Sequence, residues 1–295
     1  MRWTRTWFGD DSVKRRAVSA VRSAAHVYEM STANARRLPS FLIIGAERAG
    51  TTSLYRYLGR HPQVMTVTLR RKGAHYFDTN FGKGIRWYRS HFPTEWTVHR
   101  RARHVGRVVT GEACPYYVFH PLVSERVRSL LPDARLILML RDPVSRAYSQ
   151  FRHELARGFE HLPFEDALDA EPERLAGEDE RMRSDPTYVS FPHQHFSYLS
   201  RGRYLEQVTR WHALFPAEQL LIVDSAAFFA DPDKGFREVE RFLGITEISL
   251  REYPRLNARS GAEMAPATLE RLREHFAGPN RRLEEYLGRA FPWGT

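Results

Sequence analysis

Glycine, arginine and hydroxyl side chains gathered at one turn can hold an anion, and the stretch FLIIGAERAGTTSLYRYL, Phe41 to Leu58, brings them together. A turn bounded by Gly45 and Gly50 runs into Thr51-Thr52-Ser53, which open a helix. Glycine lets the backbone approach a ligand, while the free N–H groups and the positive dipole end of the helix face the same spot. Arg48 adds a cation and Thr51, Thr52 and Ser53 add donors, so Arg48, Ala49, Gly50, Thr51, Thr52 and Ser53 are candidate ligands of a phosphate-like group. The glycine spacing matches the phosphate loop G-x-x-x-x-G-K-[ST], but Thr51 stands where the lysine belongs. Cleavage of a β–γ phosphate bond needs that lysine and a hydroxyl on Mg²⁺. The turn therefore reads as a phosphate binder without that machinery, with a ligand-free strand-to-helix turn as the alternative.

A second cation, Arg141, lies between the apolar run Leu136–Leu140 and a helix start marked by Asp142 as N-cap and Pro143 as first residue. Ser149, two turns along, returns toward it. Glu112 stands just past a strand expected at Arg107–Gly111, where open α/β sheets place their ligands. His75 and Asp78 flank the rings of Tyr76 and Phe77, and Trp87 and Phe92 follow in a second aromatic stretch that reads mainly as core.

These residues need elements to hold them. Strands are expected at Phe41–Ile44, Val64–Val67, Arg107–Gly111, Leu136–Leu140 and Leu220–Val223. Helical spacing alternates with them, at Tyr204–Phe215 and Gly235–Leu243 among others, which predicts an α/β fold with a parallel sheet covered on both faces. Two C-terminal helices are expected, one opened by Pro266 and one capped by Asn280 after Gly278-Pro279. The acidic stretch Phe159–Arg183 reads as a solvated insertion with helical pieces, or as a gate over an acceptor.

At 295 residues, with 42% hydrophobic residues, the chain has the composition of one large globular domain. Residues 1–39 read as a basic extension and 40–295 as the domain. A net charge of +10 favours anionic partners. The basic residues form no recognisable nucleic-acid module, so nucleic acid is not an expected partner. Cys114 is the single cysteine, which excludes an internal disulfide and a thiolate zinc cluster. No apolar run approaches the roughly 20 residues that span a bilayer, and no targeting segment is evident. A cytoplasmic location is expected, with peripheral membrane contact through the extension left open.

Taken in order, the motifs IIGAERAGTTSL, KGAHYFD, KGIRWYRSHFP, GEACPYY, LILMLRDPVSRAYSQF, FLGI, LNARSG and PNRRLEEYLG resemble the sulfotransferases that use 3′-phosphoadenosine 5′-phosphosulfate (PAPS), above all the glycan-type and bacterial branch. The likeness runs from about Phe41 to Trp293. It implies a three-layer, P-loop-like fold with a central parallel sheet flanked by helices. It also implies PAPS as co-substrate without a metal, and transfer to a hydroxyl or amine of a small-molecule, glycan or glycolipid acceptor. The loop at Arg48–Ser53 would take the 5′-phosphosulfate, Arg141 and Ser149 the 3′-phosphate, and Arg259 and Ser260 further parts of the nucleotide. Arg48 stands at the family's usual lysine, and as a planar fork it would stabilise the leaving oxygen with different geometry. Gly73 stands where glycan enzymes often carry a base glutamate. His75 and Glu112 are then the candidate bases, Glu112 either accepting the proton or orienting His75. A structural histidine, and an ion pair of Glu112 with Lys72, are the alternatives. A catalytically silent nucleotide binder and an atypical P-loop kinase remain the competing functions.

Overall fold

A computed structural model describes residues 24–67, 73–256 and 264–293. All five expected strands form: β1 Phe41–Gly45, β2 Val64–Thr66, β3 Val109–Ala113, β4 Arg135–Leu140 and β5 Leu220–Asp224. They lie in the order β2-β3-β1-β4-β5, and every neighbouring pair is parallel. β1, β3 and nearly all of β4 are buried, which is why β1 and β4 are apolar runs rather than alternating patterns, while β3 buries Thr110 and Glu112 within it. Helices cover the sheet through Leu54, Tyr57 and Leu58 of Thr51–Leu58, Val208 and Trp211 of Tyr204–His212, and Phe236, Val239 and Leu243 of Pro232–Leu243. The result is the three-layer, P-loop-like α/β architecture that the resemblance implies.

A second, smaller core lies beside the sheet. Val144, Ala147 and Phe151 of helix Pro143–Ala156 meet Phe164, Ala167 and Leu168 of helix Phe164–Leu175, with Tyr198, Leu272 and Phe276 closing it. The helical pieces expected in Phe159–Arg183 form, at Phe164–Leu175 and Glu178–Ser184, and most of the acidic residues do face solvent. This core corrects the solvated reading at Phe164, Ala167, Leu168, Glu160 and Glu171. Glu160 and Glu171 are buried there and fully engaged. Glu160 accepts from the N–H groups of His161 and Leu162, from Arg174 at 2.7 Å and from the Tyr198 hydroxyl at 2.8 Å. Glu171 accepts from the N–H groups of Leu199 and Ser200 at 2.6 and 2.8 Å.

Two further boundaries differ from expectation. β3 extends to Ala113, so Glu112 sits within the strand instead of just beyond it. The C-terminal segment is one helix, Pro266–Leu287, with Pro279 inside it. Its buried Leu272, Phe276 and Leu283 keep one face through the proline, and the tertiary packing of that face outweighs the hydrogen bond that proline removes. Of the basic extension, residues 1–23 lie outside the described part. Arg36 is buried and donates to the Phe92 carbonyl, while Arg37 pairs with Glu95.

Candidate functional site

Because β1 is central and the chain moves from β3 on one side of it to β4 on the other, a crevice opens at the C-terminal ends of these strands. A cavity of about 890 Å³ occupies it. Arg48, Ala49, Gly50, Thr51 and Thr52 line it from the turn after β1. Gly50 holds a left-handed backbone (φ 96°), and a Cβ there would stand 2.5 Å from the Phe229 ring. Only glycine closes this turn against that ring.

The structure brings Arg48, Arg141 and Ser149 together across about a hundred residues of chain. Arg48 Nε donates to Ser149 Oγ at 3.0 Å, and Arg141 Nη1 donates to the Arg48 carbonyl at 3.1 Å. Asp142 caps helix Pro143–Ala156 by accepting from Ser145 N at 2.9 Å, which fixes the exit of Arg141 from β4. Burial, with Arg255 and Arg48 nearby, lowers the pKa of Arg141. Five arginines (Arg48, Arg141, Arg152, Arg157 and Arg255) line the cavity against one carboxylate, Glu47. Glu47 forms an ion pair with Arg201, and this with the other surrounding cations holds its carboxyl below the usual range against the opposing push of burial. Crowded guanidiniums in a low-dielectric crevice favour an anionic occupant.

His75 also lines the cavity. Its Nδ1 lies 2.8 Å from Asp78 Oδ2, with the Asp78 carboxylate sealed from solvent and the imidazole 41% exposed. Such a pair fixes the ring's orientation and presents its other nitrogen outward. Glu112 is absent from the cavity wall. Its buried carboxylate accepts from Ala74 N at 2.6 Å, the Tyr88 hydroxyl at 2.7 Å and the Tyr117 hydroxyl at 3.1 Å. Burial pushes its pKa up, and these donors pull it partly back. Glu112 therefore holds the loop that carries His75 and stands away from the cavity itself. Lys72, its alternative partner, lies outside the described residues.

Gly73 has a local explanation as well. A Cβ at this position would stand 2.2 Å from Cys114 Sγ and 2.7 Å from the Ala113 carbonyl oxygen, so no side chain fits there.

Ser53 is fully buried, and its hydroxyl accepts from Leu256 N at 2.9 Å, which ties the loop helix to the segment before residue 257. Arg259 and Ser260 lie outside the described residues. The rings of Tyr76, Phe77, Tyr88 and Phe92 are core, and half-buried Trp87 sits under the Lys83 ammonium at 4.5 Å, away from the cavity. Sequence reasoning missed Arg255, Phe229, Arg157 and His195 on the cavity wall. Phe229 follows β5, at a strand end that could have been searched for ligands, whereas Arg255 comes from the irregular stretch after helix Pro232–Leu243. Arg157 ends helix Pro143–Ala156 and His195 ends helix Phe191–His195, on either side of the acidic segment, and neither had such a marker.

Comparison with known proteins agrees with this architecture. Residues 38–277 match the family model described as the sulfotransferase domain. A membrane-associated sulfotransferase, kil1, of Dictyostelium discoideum is 27% identical over 87% of this chain and 66% of its own length. The heparan sulfate glucosamine 3-O-sulfotransferase 3B1 of Mus musculus is 27% identical over 89% of this chain and 67% of its own. The chain thus spans about two thirds of the length of these relatives. Among solved structures, a sulfotransferase from Alicyclobacillus acidocaldarius is 30% identical, covers 86% of this chain and 98% of its own, and superposes with a TM-score of 0.62.

Proposed function

The chain belongs to the sulfotransferase family, and from that premise we propose that it moves a sulfuryl group from PAPS to a hydroxyl of a carbohydrate acceptor. The convergence of Arg48, Ser149 and Arg141 on the glycine turn, facing His75 across one cavity, carries this reading. PAPS has an anionic group at each end, and we assign these to two neighbouring cationic stations, Arg48 and Arg141, which share the glycine turn. The backbone N–H groups of Ala49–Thr52 and the Arg48 fork receive the 5′-phosphosulfate, while Arg141 and Ser149 receive the 3′-phosphate. Arg259 and Ser260 belong to the proposal through the family likeness alone, and Ser53 supports the turn from behind.

The transferring group leaves a phosphate oxygen, where charge grows as the bond breaks. Arg48 stabilises that oxygen from a fixed position. His75, with its tautomer held by Asp78, takes the proton from the acceptor hydroxyl. Glu112 keeps the His75 loop in register by binding Ala74 N–H. The heparan sulfate enzymes among the relatives support a carbohydrate acceptor. The location that goes with this reading is the cytosol, with peripheral membrane contact through residues 1–39, in line with the membrane association named for kil1. No helix of the described residues is long and apolar enough to cross a membrane.

Calorimetric titration with 3′-phosphoadenosine 5′-phosphate, beside ATP with Mg²⁺ and 5′-AMP, tests the donor site. Metal-independent binding that requires the 3′-phosphate is expected. Arg141→Ala should weaken it by roughly 1.5–3 kcal/mol, the usual contribution of a hydrogen bond to a charged group. Preference for ATP with Mg²⁺ would hand the site to a kinase.

A further inference from the structure

Helix Glu95–Val105 turns to solvent a face made of one aromatic ring and basic side chains. Its exposed residues are Trp96, His99, Arg100, Arg103 and His104, which follow one another at i, i+3, i+4, i+7 and i+8 and so form a single stripe. Val98, on the other side, is buried. Trp96 is 68% exposed, more than any other large hydrophobic side chain among the described residues. The Arg100 guanidinium lies over its ring at 5.4 Å, so the two share one surface. The helix has one carboxylate, Glu95, and Arg37 binds it. Among the described residues no carboxylate pairs with Arg100 or Arg103.

The helix is fastened at the end of the sheet away from the cavity. Its start is tied to the chain entering β1, through the Arg36–Thr94 bridge and the Arg37–Glu95 ion pair. Its later turns are tied to the chain entering β2. Arg101 Nε donates to the Pro62 carbonyl at 2.6 Å, and Gln63 Nε2 donates to the Val105 carbonyl at 2.9 Å. The cavity opens at the opposite, C-terminal strand ends, a strand length of roughly 15 Å away. The face is no part of the acceptor site.

We propose that this face docks the protein on an anionic lipid surface, with the Trp96 ring at the headgroup level and Arg100 and Arg103 against lipid phosphates. Like charge excludes two nearer occupants. A second copy meeting the face would set arginine against arginine. Residues 1–23 carry Arg2, Arg5, Lys14, Arg15, Arg16 and Arg22 against Asp10 and Asp11, so attraction does not draw them onto it. An acidic protein or a nucleic acid would use the guanidiniums, but an anionic bilayer uses the indole as well. Guanidiniums meet its surface potential, and the amphipathic ring enters the boundary between water and hydrocarbon. Seated so, the molecule turns its cavity toward the aqueous phase. The inference stands apart from the donor-site reading, and it adds a folded surface to the contact proposed for residues 1–39.

Sedimentation of the full chain with vesicles of phosphatidylcholine, with and without phosphatidylglycerol, tests this. Binding is expected only with the anionic lipid. Arg100→Glu combined with Arg103→Glu should weaken it at least about tenfold. Trp96→Ala should weaken it about fivefold at unchanged charge, as expected for partial burial of one aromatic ring. Both variants should melt as the unmodified protein does, because the substituted side chains are exposed. Failure of the unmodified chain to sediment with the anionic vesicles overturns the proposal. Binding that survives both sets of substitutions moves the contact to residues 1–39 and overturns it too. So does a loss on charge reversal with none in Trp96→Ala, which would make the face a general polyanion site.

Discussion

The cavity is enclosed by two walls built on different physics. On one side, the ends of β1, β3 and β4 present backbone N–H groups and arginines from a parallel sheet whose strands are buried almost throughout. On the other, helix Pro143–Ala156 and the short helices within residues 157–202 pack around a smaller core, and buried carboxylates do much of the fastening. Glu154 holds His195, Glu160 joins Arg174 to Tyr198, and Glu171 gathers the N–H groups of Leu199 and Ser200. The sheet wall owes its geometry to hydrophobic burial and strand register. The helical wall owes it to charge-assisted hydrogen bonds, which are directional and respond to pH. If the proposed roles hold, nucleotide binding and group transfer should be separable by substitution.

The largest effect expected from breaking the comparison lies at the meeting of the two functions. His75→Ala should lower kcat by about 10²–10⁴, the usual contribution of a general base. Nucleotide affinity should stay nearly unchanged, because His75 belongs to neither cationic station. A parallel fall in nucleotide affinity, read by calorimetry, would show that the two sides are not independent.

Next in size is the helical wall itself. Glu160→Ala leaves Arg174 and the Tyr198 hydroxyl without their shared buried acceptor and should destabilise the protein by roughly 3 kcal/mol in chemical denaturation. Burial pushes the Glu160 pKa up, but Arg174 and the N–H groups of Leu162 and His161 bring it down to about 2. A carboxyl lowered on folding contributes stability that is present above its unfolded value and lost as pH falls through the folded value. Stability should therefore decline from about pH 4.5 toward pH 2 in the native protein, and less steeply in Glu160→Ala. An identical acid profile in the two proteins would remove Glu160 from the fastening.

The smallest effect belongs to a buried glutamate packed behind the sheet, with the opposite sign. Glu240, on helix Pro232–Leu243, has its pKa raised to about 7, mainly by burial and further by Glu247 and Asp233. One oxygen accepts from Ile248 N at 3.1 Å and the other lies 3.6 Å from His61 Nε2. A carboxyl raised on folding contributes stability that is present below its unfolded value and lost as pH rises through the folded one. Glu240→Gln should thus be nearly neutral at pH 4 and stabilising at pH 8, by about 1 kcal/mol. A loss of stability at pH 8 in thermal melts would contradict this assignment.

The same division explains what could be read from the residues alone. β1, β4 and β5 were legible because parallel strands are apolar runs of strand length, while β3, Val109-Thr110-Gly111-Glu112-Ala113, is no such run and its bounds shifted. The glycine turn, Arg141 and Asp142 were legible because caps and strand ends carry local rules. The helical wall was not. Its glutamates look like a solvated acidic stretch until Arg174, Tyr198 and Ser200 are folded onto them, and no local pattern encodes such partners. Pro279 misled for a related reason, since local propensity yields to a continuous buried face made by Leu272, Phe276 and Leu283. Glu112 was noticed as a carboxylate near the ligand, but its role depends on Ala74, Tyr88 and Tyr117 arriving from elsewhere in the chain.

The tight seat of Gly73 against Cys114 makes the protein its own reporter. The thiol is buried, and burial beside Glu112 raises its pKa well above the ordinary value, so it is doubly protected from electrophiles. Lifting of the segment Gly73–His75, which packs on the thiol, opens it to a disulfide reagent and moves His75 at the same time. The labelling rate of this single cysteine is therefore a clock for the opening of the loop that carries His75. It needs no engineered probe, and slowing of the clock by nucleotide would measure how firmly a filled donor site latches the loop.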